Sequence, residues 1–161
     1  MTITSPAFDN FDPIPATYTC DGDGVNPPLE IADVPAEAES LVLIADDPDA
    51  SSGVFDHWLL WNIDPKTGEI IEDSMPEGAI TGQNSSGTKG YIPPCPPLGI
   101  HSYRFVLIAL KRRLDLPAGS SRDELEEAYE GAVLERAELI GTYGSEDEAE
   151  KNTLDDEDEG E

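Results

Sequence analysis

Four prolines and two glycines fall within eleven residues, Lys89 to Gly99 (KGYIPPCPPLG). Proline lacks the N–H that a helix interior or a central strand requires, so neither can run through this segment. The run that follows, Tyr103 to Leu110 (YRFVLIAL), is aromatic, β-branched and aliphatic, and reads as a buried strand. Between the two lies His101-Ser102-Tyr103. Side chains two apart on an extended chain share a face. The rigid loop therefore delivers an imidazole and a phenol to one side of a strand's start. His57 is the only other histidine.

The rest of the chain reads as short strands separated by Pro/Gly punctuation. Residues 1–35 break every apolar run after a few positions, which suits short strands and turns but no helix. Ser40–Asp46 (SLVLIAD) is a continuous apolar strand that ends in the turn Asp47-Pro48-Asp49-Ala50. Phe55–Ile63 (FDHWLLWNI) is the next strand. A period of two puts Phe55, His57, Leu59, Trp61 and Ile63 on one face and Asp56, Trp58, Leu60 and Asn62 on the other. Gly82–Lys89 is expected to be a flexible polar loop. The single clear helix starts at a capping box, with Ser121 as N-cap and Glu124 three residues on. Leu125, Ala128, Tyr129, Ala132 and Val133 give it one apolar stripe, with Gly131 as a weak point. Ala137–Tyr143 is a last short strand. Many strands and one late helix predict a mainly β protein, an antiparallel β-sandwich with a peripheral C-terminal helix. One domain, residues 1–144, is followed by an acidic tail, 145–161, expected to be disordered.

Charge narrows the partners. The chain of 161 residues carries 35 acidic and 9 basic residues, net −26. The acids are not confined to the tail, because residues 1–144 alone hold 25 acids against 8 bases. Such a surface repels nucleic acid and anionic membranes. It fits a salt-rich cytoplasm, where self-repulsion is screened; a nucleic-acid mimic or a binder of basic partners is the alternative. No apolar run reaches membrane-spanning length and no leader pattern is visible, so the expected location is cytoplasmic. Cys20 and Cys95 are too few for a disulfide framework, and a pair between them is not expected in a reducing cytosol. Cys20, His57, Cys95 and His101 lack the close spacing of a structural zinc site, so no metal is expected.

Several chemistries are absent as motifs. Neither Asp47-Pro48-Asp49 nor Asp21-Gly22-Asp23 continues as a calcium loop, since each lacks the glycine at position six and the glutamate at position twelve. No nucleophile elbow and no phosphate-cradling glycine loop occur. What remains is two histidines, an aspartate and a tyrosine, whose N–H and O–H groups can donate to phosphate-type oxygens.

DPDA at Asp47–Ala50, HWLLWNI at His57–Ile63 and GYIPPCPPLGIHSY at Gly90–Tyr103, with IPATYTCDG, NPPLE and LDLPAG…VLERAELIGTYG, occur in one order across residues 3–144. In these motifs the chain resembles the phosphatidylethanolamine-binding protein family, in its prokaryotic, Raf-kinase-inhibitor-like branch. The resemblance implies a sandwich of two antiparallel sheets with a C-terminal helix. It also implies a small anion pocket lined by Asp47, His57, His101 and Tyr103, with the proline loop, including Pro94 and Pro96, as one wall. The chain departs from the family pattern at Ser51, where proline is common, at Ile92-Pro93-Pro94, where smaller residues are usual, and at Ser102, where arginine is usual.

The expected function is non-enzymatic binding of a phosphate-bearing small molecule, such as a phosphoethanolamine-like head group, or of a phosphorylated group, without a cofactor. The alternatives are a regulator that inhibits a kinase or protease through the loops around the pocket, and a weak hydrolase with His101 as general base. A homodimer is compatible with all three.

Overall fold

The computed structural model describes residues 1–144. The acidic tail expected at 145–161 lies outside the described residues. The elements in order are β1 (Thr2–Thr4), a 3-10 turn (Ala16–Tyr18), β2 (Leu29–Ala32), β3 (Ser40–Asp47), β4 (Phe55–Ile63), β5 (Glu69–Ile70), β6 (Ile80–Thr81), β7 (Ile100–Leu110), α1 (Arg122–Tyr129) and β8 (Val133–Gly144). Every strand pair is antiparallel. A three-stranded sheet runs β1-β2-β5, and a five-stranded sheet runs β6-β4-β3-β7-β8.

The larger sheet is covered on both sides, which explains the uninterrupted apolar run at residues 41–45. Leu41, Leu43, Ala45, Phe105 and Leu107 pack toward the small sheet, against Ile3, Leu29, Ile31 and Ile70. Val42, Ile44, Ile108 and Leu110 face the other way, against Leu125 and Tyr129 of α1 and against Leu114. All eight residues of β3 are buried.

Two irregularities change the expected faces of β4. Ala45 pairs with Trp58 and Asp46 with Asp56, so β4 carries an extra residue at His57. A second shift lies between Leu60 and Ile63, where Asn62 takes a φ of 57°. Trp58, Leu60 and Ile63 consequently share the inter-sheet core, whereas Leu59 and Trp61 lie under the helix. Strict alternation fails because each bulge adds one residue to the count.

The late helix also differs from its expected extent. Its capping box is present, with Ser121 and Glu124 bonding reciprocally. It ends at Tyr129, and Gly131, at a φ of +79°, turns the chain into β8. Val133 opens that strand instead of extending the helical stripe, and β8 starts well before Ala137. Gly82–Lys89 is not a loose loop. Asn84 is buried, accepts hydrogen bonds from Ser86 and Thr88, and donates to the Gly90 carbonyl. Among the described residues no helix is long and apolar enough to cross a membrane.

Candidate functional site

The end of β3, the start of β4 and the start of β7 meet the proline loop around a cavity of about 510 Å³. Asp47, His57, His101, Tyr103 and Pro96 all line it. Pro94 does not. It is buried on the other side of the loop, where its carbonyl accepts the Cys20 N–H at 3.1 Å. Pro93, Cys95, Pro97 and Leu98 form the wall together with Pro96.

The chain reverses at the end of β3 through Asp47 itself. One carboxylate oxygen of Asp47 accepts the Asp49 N–H at 2.8 Å, an Asx turn. The other accepts from His101 Nδ1 at 2.6 Å. Asp47 is 4% exposed, so its charge is held by these donors rather than by bulk water. Asp49 in turn accepts the Ser102 N–H at 2.8 Å, so the Asp47–Asp49 turn clamps the first turnless residues of β7. Both turn carboxylates thus hold β7, Asp47 from a buried position and Asp49 from an exposed one.

His57 reaches the cavity because of the bulge, which keeps it beside Tyr103 when strict alternation would place it with Leu59 and Trp61. Its Nδ1 lies 2.7 Å from the Ile92 carbonyl. A carbonyl only accepts, so Nδ1 carries the proton and neutral His57 keeps a lone pair on Nε2. The Ile92 N–H returns a bond to the His57 carbonyl at 2.9 Å, which fixes the proline loop to β4 on both sides of the ring. Burial lowers the His57 pKa; the Ile92 carbonyl and the carboxylates of Asp47, Asp46 and Asp56 oppose that shift without reversing it.

Tyr103 lies between the two imidazoles. Its ring meets His57 edge-on at 5.4 Å between centroids and stacks with His101 at 6.2 Å. It is 3% exposed, yet among the described residues its hydroxyl has no hydrogen-bond partner. Burial, followed by the charges of Asp47 and Asp49, pushes its pKa well above the ordinary tyrosine range, so the hydroxyl remains a donor. With both Nδ1 atoms engaged, the site offers a ligand two Nε2 positions and one O–H.

Phe55, Ile92, Pro93, Pro96, Pro97 and Leu98 supply the apolar part of the lining. Phe55 packs on His57 at 4.8 Å. Sequence reasoning did not single out Phe55 or Asp49; the available signal was the period-two partnership of Phe55 with His57. Ser51 and Ile92, two of the departures from the family pattern, both line the cavity, whereas Ser102 contributes its backbone N–H to Asp49.

Cys20 and Cys95 are joined in a disulfide, with Cα atoms 5.4 Å apart. This corrects the expectation that they stay unpaired. The turn after the 3-10 element folds onto the proline loop, and the Cys20–Pro94 backbone bond and a Tyr91 hydroxyl bond to the Tyr18 carbonyl align the two segments. Among the described residues no cluster of three or more His, Cys, Asp or Glu side chains could hold a metal ion.

Comparison with known proteins gives one consistent answer. The family model described as phosphatidylethanolamine-binding protein matches residues 4–144. A UPF0098 protein of Methanothermobacter thermautotrophicus is 49% identical over 148 residues, covering 89% of this chain and 98% of the relative. A crystal structure of a putative phosphatidylethanolamine-binding protein homologue from Chlamydia trachomatis superposes with a TM-score of 0.87 at 41% identity, over 90% of this chain and 97% of that one. YbcL of E. coli, described as a member of the mammalian PEBP family, gives a TM-score of 0.82 at 25% identity, over 89% and 97% of the two chains.

Proposed function

Because the chain belongs to the phosphatidylethanolamine-binding protein family, we propose that its cavity binds a phosphate-type anion, free or as part of a phosphoethanolamine-like or phosphorylated ligand, without turning it over. The observation that carries this reading is the Tyr103 hydroxyl, buried and, among the described residues, unpartnered between two imidazoles whose Nδ1 atoms are already engaged. A singly charged phosphate complements that set. Its oxygens accept from the phenol, and its P–OH groups donate to the free Nε2 lone pairs. Asp47 does not oppose such a ligand, because it holds His101 by Nδ1 and leaves the opposite ring nitrogen to the anion. Among the described residues no hydroxyl or thiol is hydrogen-bonded to His101, which favours binding over covalent hydrolysis.

The complex holds one more proton than dianionic phosphate and neutral imidazoles, on the ligand or on a histidine. Phosphate affinity is therefore expected to rise as pH falls through about 6.5. Titration calorimetry with inorganic phosphate and with phosphoethanolamine between pH 5.5 and 8 tests this. Absence of binding to either at every pH would sink the reading.

A protein partner is the second reading. Leu98, in the cavity wall, is 65% exposed and offers an apolar contact at the mouth. Capture of a stoichiometric kinase or protease that is released by Leu98→Asp would favour it.

A further inference from the structure

We propose that the Cys20–Cys95 disulfide is a thiol–disulfide exchange site, through which a dithiol reductant releases the wall of the pocket. The inference rests on the pocket reading above for its ligand consequence, but not for the movement of the wall.

The wall is a span fixed at its two ends. Ile92 is bonded to β4 at one end, and Ile100 enters the β7–β8 pairing at the other. Between them, four of the seven residues from Pro93 to Gly99 are prolines and have no N–H to give. Among the described residues, a single hydrogen bond ties this span to the rest of the protein, from the Cys20 N–H to the Pro94 carbonyl. That bond belongs to the residue that also carries the disulfide. The bridge is thus the one covalent tie in the middle of the span, joining positions 75 apart in sequence. Cys95 itself lines the cavity. Both half-cystines are exposed residues, so the bridge lies at the protein surface, where a dithiol can approach it.

In the exchange, one thiolate of the dithiol attacks a sulfur of the bridge and expels the other cysteine as thiolate. The second thiol of the reductant then attacks the mixed disulfide. Two electrons and two protons pass to the protein as the thiols of Cys20 and Cys95, and the reductant leaves as its own disulfide. The freed wall becomes a flexible segment that must be ordered again each time a ligand binds, so reduction weakens binding.

The test uses the full chain, oxidised and after dithiothreitol without denaturant, with thiol titration, hydrogen exchange and phosphate calorimetry on each form. The expected result is two thiols released, faster exchange at the Cys20 amide, whose bond to the Pro94 carbonyl is lost when the span is freed, with β3 and β7 still protected, and phosphate affinity lower by about tenfold. Cys20→Ser should match the reduced form and no longer respond to the dithiol. A bridge that resists dithiothreitol until the protein unfolds, or a Cys20 amide with equal exchange in both forms, would overturn the proposal. Failure of the oxidised protein to bind phosphate would instead count against the pocket reading, with the exchange data still deciding the wall.

Discussion

Asp46 and Asp47 are neighbours on β3, both buried, and they point to opposite sides of the same sheet. Asp46, 1% exposed, accepts two bonds at 2.8 Å from Arg104 and one at 3.2 Å from Arg122. Arg122 also reaches Asp56 at 2.6 Å and Glu126 at 2.9 Å. On that side every buried charge faces an opposite charge, and the network ties α1 to the sheet. Asp47 has no such cation. It holds an imidazole and a turn, and beside it the Tyr103 hydroxyl has no partner among the described residues. A filled polar network fixes structure, whereas a partly filled one beside a cavity leaves bonding capacity for a ligand. The two aspartates teach that burial and charge do not separate a scaffold residue from a site residue; the bonds left unmade around each one do.

The largest expected effect falls on the filled side. Asp46→Ala leaves Arg104 and Arg122 without their shared partner in a half-buried setting, and should cost about 3–5 kcal/mol in urea denaturation. Phosphate affinity of the molecules that remain folded should change little. A variant that keeps wild-type stability would break the comparison. Asp47→Ala should cost less, about 1–3 kcal/mol, while abolishing measurable phosphate binding, because His101 loses the group that orients it. Tyr103→Phe sharpens the contrast further. Removing a hydroxyl that bonds nothing among the described residues should shift stability by less than about 1 kcal/mol, yet lower phosphate affinity by about tenfold in calorimetry. Equal phosphate binding by Tyr103→Phe would place the ligand elsewhere.

Salt distinguishes surface from interior. Raising KCl to molar concentration screens the −26 charge and should raise the melting temperature of the wild type. It should not restore Asp46→Ala, whose lost bonds are buried. Identical melting temperatures in dilute buffer and concentrated KCl would contradict the reading of the acidic surface as salt adaptation. The smallest effect is that of pH on His57. Burial lowers its folded pKa below the unfolded value near 6.5. On acidification the unfolded chain therefore takes up the proton first, and stability declines below about pH 6.5 until the folded ring also titrates. Comparing urea midpoints at pH 7.5 and 5.5, His57→Gln should show a shallower decline than the wild type.

Much of this was legible in the residues. Ser40–Asp46 and Phe55–Ile63 were readable as strands because runs that are apolar on both faces demand cover on both faces. The helix start was readable because a capping box is a local bond pattern, and the grouping of Asp47, His57, His101 and Tyr103 came from the family motifs. Other features were not. The face on which His57 lies depends on a bulge that exists only in the pairing of β4 with β3. The end of the helix at Tyr129 depends on whether Ala132 and Val133 pack better in a turn and a strand than in another helical turn.

By itself, then, the sequence determined what each segment can and cannot be, because proline, glycine, apolar runs and caps act over a few residues. The proline loop had to be a donor-poor span, neither helix nor central strand, whatever surrounded it. Only the tertiary structure decided which side of that loop faces the cavity, why Pro94 turns away while Pro93 and Cys95 line it, and that Cys20 closes on Cys95 across 75 residues. It also separated Asp46 from Asp47. Those outcomes are set by contacts between segments far apart in the chain, and no local pattern encodes the partner that each group finds.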